Sequence, residues 1–282
     1  MKLTDKAPAS THRVLVFGAP KSGKTELVGT LSRKFNIIWF DLENGYATLL
    51  KLPKDQQERI NLISIPDSKT FPTAIETMLK VITGAEVKIC DEHGKVSCPL
   101  CTKDNKPVST ITLSSLGPQD LVVVDSLTQL SNSAIAFITK GKPDDYKMDF
   151  SDWGNLRAVV EKFLSQVQQA RYNIVCISHE EEVDMEDGRK KLVPVCGSSK
   201  SSRNTAKYFD HVIYCEVKNK KHLAASSTTY ANNIVTGSRT DVALETLDGN
   251  LMAIFESHIQ RPQTPGEKAA ATLKSIAAAQ SK

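Results

Sequence analysis

The 282 residues, 40% hydrophobic and 24% charged, have the make-up of a globular protein with room for one substantial domain plus attachments, or two small domains. This composition excludes wholesale disorder and a fibrous architecture, and no apolar run approaches the roughly 20 residues a membrane-spanning helix needs. The formal net charge of +4 permits a nucleic-acid partner without requiring one.

Residues 1–12 form a polar lead-in without the apolar stretch of a secretory signal, which predicts a cytoplasmic protein with no membrane partner. In that setting six cysteines point to metal binding or burial rather than a disulfide framework. RVLVFG (13–18) is an apolar run of strand length closed by glycine. After APKSGKT comes ELVGTLSRKF (26–35), whose Leu27, Val28, Leu31 and Phe35 recur at helical spacing. IIWF (37–40) reads as a second buried strand ending in DLENG. Strand, helix and strand in succession predict an α/β fold with a mostly parallel sheet. A short strand at 62–65 and a helix near 71–83 follow. From 84 to about 115 Gly, Asp, Lys, Ser and Pro dominate and three of the cysteines appear, the texture of an insertion. LVVVDSLTQL (121–130) is the most hydrophobic strand and leads into a helix. A polar loop (139–152), a helix at 153–171 and the strand NIVCISHE (173–180) come next. A charged, serine-rich stretch spans 180–207, then the strand HVIYCEV (211–217) and short strand-like segments to about 256. Residues 257–282 carry little core material and read as a tail that is mobile or folds only on a partner. The expected division is a core at 12–256, an insertion within it at 84–115, and the tail.

GAPKSGKT (18–25) fits G-x-x-x-x-G-K-[ST] directly after a strand and before a helix, the context that gives this short pattern meaning. Gly18 and Gly23 let the backbone wrap close to phosphate oxygens, with Ala19, Pro20, Lys21 and Ser22 forming the loop between them. Lys24 brings an ammonium to the β- and γ-phosphates, Thr25 a hydroxyl to Mg²⁺, and Glu26 continues into the helix. The alternative is an accidental glycine-rich turn. Asp125 closes the LVVVD strand, where P-loop proteins carry the carboxylate that serves Mg²⁺. These residues predict ATP and Mg²⁺ as cofactors.

GAPKSGKTEL, then IIWFDLENG, then LVVVDS, together resemble the RecA-type recombinase core. The resemblance implies a RecA-like P-loop NTPase fold and ATP hydrolysis stimulated by DNA. It sets Asp41 and Glu43 in the places of an acidic D-x-E pair whose glutamate deprotonates the attacking water; a helix-capping or surface role is the alternative. Ser126 matches the V-D-S segment. His179 stands where such ATPases carry a polar γ-phosphate sensor, although RecA proteins have glutamine there. Glu43, Lys24 and His179 are thus the expected catalytic residues. The layout also resembles phage-encoded single-strand annealing proteins with a minimal RecA core, which implies single-stranded DNA and further copies of the chain, in a ring or filament, as partners, with a single-strand-binding protein as a further one and the host cytoplasm as location.

In SSRNTAKYFD (201–210), Asn204, Lys207 and Tyr208 match the end of the second DNA-binding loop of RecA proteins, and the loop 139–152 sits where the first would be. GRKKL (188–192), Lys200, Arg203 and Lys207 make this stretch basic after the acid cluster at 180–187; a solvated charged loop is the alternative. Single-strand binders add aromatic stacking, for which only Tyr208 and Phe209 lie close. The family shares each nucleotide between subunits, which makes Lys218, Lys220 and Arg239 candidates for the cation a neighbour supplies.

CDEHGKVSCPLC (90–101) spaces Cys90, His93, Cys98 and Cys101 as C-x2-H-x4-C-x2-C. Two chelating pairs can close a tetrahedron around a structural Zn²⁺, and a segment so poor in apolar residues would draw its folding energy from the metal. A redox or chance pair of cysteines, or His93 outside the shell, is the alternative. Cys176 and Cys215 lie in apolar strands and read as core; Cys196 has no assigned role. The function these features predict is an ATP-dependent recombinase or annealing protein. A zinc-bearing, nucleotide-dependent loader that docks a partner, and a P-loop kinase of a small molecule, are the rivals.

Overall fold

The computed structural model describes residues 11–68, 71–185, 188–227, 231–239 and 251–256, so that most of the lead-in and the whole 257–282 tail lie outside the described residues. In chain order the elements are β1 (Arg13–Gly18), α1 (Lys24–Gly29), β2 (Asn36–Asp41), α2 (Lys54–Gln57), β3 (Ile60–Ser64), α3 (Thr73–Val81), β4 (Val87–Cys90), α4 (Pro99–Lys103), β5 (Val108–Ile111), β6 (Asp120–Asp125), α5 (Leu127–Ile138), α6 (Phe150–Gln169), β7 (Asn173–Asp184), β8 (Lys190–Pro194), α7 (Ser199–Thr205), β9 (His211–Lys218), β10 (Lys221–Ala225), β11 (Gly237–Ser238) and α8 (Met252–Glu256).

Among the described residues nine strands form one sheet in the order β10-β9-β1-β7-β6-β2-β3, with β8 on β7 and β11 on β9. The five central strands from β9 to β2, and β3 beside them, pair in parallel. Their apolar runs are continuous because both faces are covered. Leu15, Phe17, Val122, Val124, Ile174 and Cys176 point into the core under α3, α5 and α6. Val14, Val16, Leu121, Val123, Val175 and Ile177 point into the core under α1. Register then aligns the strand ends: Gly18 lies opposite His179 and Cys215, and Asp125 opposite Asp41 and Ile177. One edge of the sheet thereby collects the phosphate loop, both strand-end aspartates and the histidine.

Several local expectations change. The helix expected over 26–35 ends at Gly29 and tightens into a 3-10 turn over Thr30–Arg33. Thr30 donates to the Leu27 carbonyl and Ser32 to that of Gly29, side-chain bonds that compete with continued α-helix. The helix expected at 153–171 starts at Phe150, because Asp149 caps it and Asp152 returns the bond, a D-x-x-D capping box. The stretch 180–207 is not a charged loop. β7 runs on to Asp184 and pairs antiparallel with β8, and Lys190 on Glu182 at 2.7 Å shows how cross-strand opposite charges hold the hairpin. Glu186 and Asp187 of the acid cluster lie outside the described residues. In place of a strand-like segment near the end of the core, Met252–Glu256 is helical, with Ile254 and Phe255 buried.

Candidate active site

β1 ends at Gly18, where a Cβ would lie 2.0 Å from the Cys215 carbonyl oxygen; only glycine lets β1 and β9 approach this closely while the chain turns into the loop. Lys24, the first residue of α1, is buried and donates to the Gly18 and Ala19 carbonyls at 2.9 and 2.8 Å. Burial holds its pKa below the ordinary lysine value, against the pull of neighbouring acids. Thr25 donates to Asp125 at 3.1 Å across the α1–β6 gap. Asp125 is 4% exposed, and burial, then the charge of Glu43, pushes its pKa up to about 7. Two groups suited to Mg²⁺ therefore touch each other, and Asp125 carries a charge the protein alone does not fully stabilise.

Asp41 and Glu43 divide the work of the D-x-E turn. The Asp41 carboxylate is buried and accepts from the backbone N–H groups of Glu43, Gly45 and Tyr46 at 3.3, 3.0 and 3.2 Å, so it shapes the turn. Glu43 faces the phosphate loop. Ser126 donates to its Oε1, and His179 Nε2 lies 3.3 Å from its Oε2. Burial alone would raise the Glu43 pKa, but the bonds from His179 and Ser126 outweigh it and hold the carboxyl below its ordinary value. His179 Nδ1 is buried without a hydrogen-bond partner among the described residues.

These side chains line a cleft of about 470 Å³ together with Pro20, Lys21, Gly23, Glu26, Thr48, Lys51 and His222. A smaller slot of about 220 Å³ adjoins it between α1 and β10, lined by Ser22, Leu27, Thr30, Leu223 and Ala224. Leu27, one of the residues at helical spacing, packs against the core and is half-buried on the slot wall. His222 borders both spaces and meets the Ser22 carbonyl at 3.0 Å. Sequence reasoning missed it: the motif KNKKH drew attention to its lysines, although alternation along the strand turns His222 to the face that carries α1.

The other expected residues are scattered. Tyr208 and Phe209 are buried in the core, which removes them as stacking surfaces for bases. Lys207 lies 4.9 Å over the Tyr208 ring, and the Asn204 side chain donates to the Lys200 carbonyl. Lys200, Arg203 and Lys207 are exposed on α7 and the turn after it. Lys218 and Lys220 stand exposed at the β9–β10 turn, beyond the level of the phosphate loop. Arg239 is at the opposite end of β9, paired with Asp210 at 3.1 Å, away from the cleft. Exposed aromatics lie elsewhere among the described residues: Tyr46, Phe71, Phe137, and the pair Phe150 (95% exposed) and Trp153 (44%) where the loop 139–149 enters α6.

Cys90, His93, Cys98 and Cys101 converge, their donor atoms all within 4.8 Å of one another, with His93 Nδ1 3.2 Å from Cys101 and 3.8 Å from Cys98. A tetrahedron with metal–ligand bonds of about 2.0–2.3 Å has edges of about 3.3–3.8 Å, so the set fits Zn²⁺. The Cys101 thiol is pushed up to about 12 by burial and then by its two thiol neighbours. A thiol held protonated in this way ionises only with a cation beside it, the role a bound Zn²⁺ would fill. The insertion lacks an apolar core of its own, as expected, yet it is not held by its centre alone. Ile89, Val96, Ile111 and Leu113 enter the main core. Cys176 and Cys215 are core residues, and Cys196 joins them there.

The family described as AAA domain matches residues 10–240. Among solved structures, a prototypical ATPase from the type III secretion system of pathogenic bacteria is similar at 15% identity and a TM-score of 0.42, over 72% of this chain and 51% of that one. The chain thus spans about half that ATPase's length. The KaiC-like protein PH0186 from Pyrococcus horikoshii OT3 is similar at 11% identity and a TM-score of 0.37, over 76% of this chain and 77% of that one. No curated protein matches.

Proposed function

The chain belongs to the AAA domain family, and from that premise we propose that this P-loop ATPase hydrolyses Mg·ATP as a homo-oligomer on single-stranded DNA, in annealing or strand exchange of the phage type. The observation that carries the hydrolytic part is the meeting of Lys24, Thr25, Asp125, Glu43 and His179 in one cleft. Thr25 and Asp125 would hold Mg²⁺, which neutralises phosphate charge when bound. Lys24 exchanges its two carbonyl acceptors for β- and γ-phosphate oxygens, and the adenine ring takes the slot beside His222. His179 turns its N–H from Glu43 to the γ-phosphate. That frees Glu43 Oε2 to take a proton as water attacks the γ-phosphorus and the bond to ADP breaks. Sensing and water activation are then one exchange of hydrogen bonds.

The DNA part is supported by a basic face without carboxylate partners among the described residues: Lys200, Arg203 and Lys207, at i, i+3 and i+7. Phe150 and Trp153 supply the exposed rings that Tyr208 and Phe209 do not. Lys218 or Lys220 is the cation offered to a neighbouring subunit's nucleotide. The test is ATP turnover with and without single-stranded DNA. Stimulation is expected, together with a salt dependence of DNA affinity that flattens by about one unit of slope when Arg203 is replaced by alanine. Turnover indifferent to DNA would overturn the recombinase reading. The loader reading draws on Leu100 and Val108, exposed on the cysteine insertion at 63% and 47%. It gains if DNA has no effect and deletion of the insertion abolishes capture of a replication partner. The kinase reading has no arginine among the described residues of the cleft lining to support it.

A further inference from the structure

The turn that carries Glu43 is supported from outside by the cysteine insertion. Cys90 to Lys95 form a tight knuckle, closed by Cys90 N–H on the Lys95 carbonyl at 3.1 Å and Gly94 N–H on the Cys90 carbonyl at 2.9 Å. Gly94, at φ +59°, sits so close to the end of β3 that a Cβ there would be 2.5 Å from Ile65 Cα and 2.8 Å from the Ser64 carbonyl oxygen. Thr77 of α3 donates to the Gly94 carbonyl at 3.0 Å and fixes the knuckle from its other side. From β3 the path to the cleft is one bond long. Ile65 N–H donates to the Asp41 carbonyl at 3.0 Å, and the Asp41 carboxylate organises the backbone of residues 43–46. Leu42, Glu43 and Asn44 face Asp91 and Glu92 of the knuckle across a cavity of about 660 Å³.

We propose that the Cys90/His93/Cys98/Cys101 centre is a strut for the water-activating turn: an occupied centre holds the knuckle rigid against Ser64 and Ile65, and so holds Glu43 in line with the γ-phosphate. Gly94 is then a positioning residue, and the centre sets the rate of hydrolysis while leaving nucleotide affinity alone. The phosphate loop itself joins β1 to α1, whereas the knuckle's hydrogen bond to α3 and its close approach to Ser64 and Ile65 lie on the β3 side of the turn. This inference rests on the hydrolytic reading above. A displacement of Glu43 by about 1 Å is enough to cost on the order of 100-fold in rate.

The experiment uses the full chain as wild type, Cys98→Ser and Gly94→Ala, with zinc content, affinity for a fluorescent ATP analogue, turnover and amide exchange measured on each. Cys98→Ser is expected to lose zinc, and Gly94→Ala to keep it. Both are expected to lower kcat about 10- to 100-fold with analogue affinity changed by less than about threefold. Amides of Gly45, Tyr46 and Ile65 should exchange faster in both variants. Gly94→Ala with wild-type kcat and wild-type exchange at these amides overturns the strut, as does a parallel loss of affinity and kcat in both variants. Should Cys98→Ser fail to fold, chelation of the wild type and readdition of zinc replace it, with kcat expected to fall and return. Wild type that hydrolyses no ATP defeats the hydrolytic reading; the strut is then judged by amide exchange alone.

Discussion

The two ends of the central sheet handle buried polar groups in opposite ways. At the amino end they satisfy one another. His12 donates its backbone N–H to Asn173, whose amide donates to the Pro118 and Asp120 carbonyls. The rings of His12 and His211 meet at 3.1 Å, and His211 meets Ser238 at 2.9 Å. Arg13 and Arg239 share the two oxygens of Asp210. At the carboxyl end Asp41 is satisfied by the turn it shapes, but three groups that face the cleft rest on substitute or incomplete partners. Among the described residues, Lys24 leans on loop carbonyls, Asp125 bonds to Thr25 alone of the side chains, and His179 Nδ1 has no partner. Both ends are buried, so the difference is one of completion: the amino end is finished by the fold, and the carboxyl end has the charges and donors that a Mg·nucleotide would complete.

The hardest test of this contrast is Lys24→Ala. Loss of nucleotide affinity or turnover by about 1,000-fold is expected from removal of the phosphate cation, measured by titration and phosphate release, with the melting temperature nearly unchanged. Glu43→Gln should come next. It keeps the volume and the Ser126 bond but cannot take a proton, so kcat should fall about 100-fold or more while nucleotide still binds. At the other end, Asp210→Ala removes the carboxylate that Arg13 and Arg239 share and should lower stability by about 1–3 kcal/mol in denaturant titration, without changing kcat per folded molecule. The smallest effect is also the most direct comparison. Asp125, raised to about 7 in the fold from an ordinary 3.8, binds a proton that the unfolded chain lacks between those values. Stability of the magnesium-free protein is therefore lost as pH rises through that window. His211 runs the other way: burial, then the neighbouring His12, lowers it from 6.5 to about 4, so its contribution is present at neutral pH and lost as pH falls from 6.5 towards 4. Thermal melts across pH 4–8 should show Asp125→Asn a few degrees above wild type at pH 8, and His211→Asn less sensitive to acid than wild type. Equal pH profiles for both variants would erase the contrast between the ends.

The residues of the nucleotide cleft were legible because their chemistry is packed into short segments. GAPKSGKT, DLE and LVVVD each carry a strand end and a functional group within a few positions, and parallel pairing brings strand ends together at one edge. The four side chains of the candidate metal centre were legible for the same reason, from spacing along twelve residues. Residues whose role depends on what lies across the fold were not. Tyr208 matched a DNA-contact pattern but packs into the core beneath α6, and Arg239 matched a cation position but turns to Asp210. The charged run 180–207 reads as loop because consecutive acids on one strand (Glu180–Glu182) and consecutive lysines on the other (Lys190, Lys191) hide the period-2 apolar signal; only the cross-strand partners reveal it. His222 faces the cleft by virtue of a strand register that no local motif encodes.

What the sequence alone determined is the set of local backbone chemistries: a glycine loop between strand and helix, aspartates at strand ends, and chelating turns of fixed length, each dictated by sterics and hydrogen bonding over a few residues. Tertiary structure alone decided which of the many charged side chains face one another. Burial and register are properties of surfaces brought together from distant parts of the chain, and they set both the state of Asp125 and the seat of Gly94 against β3.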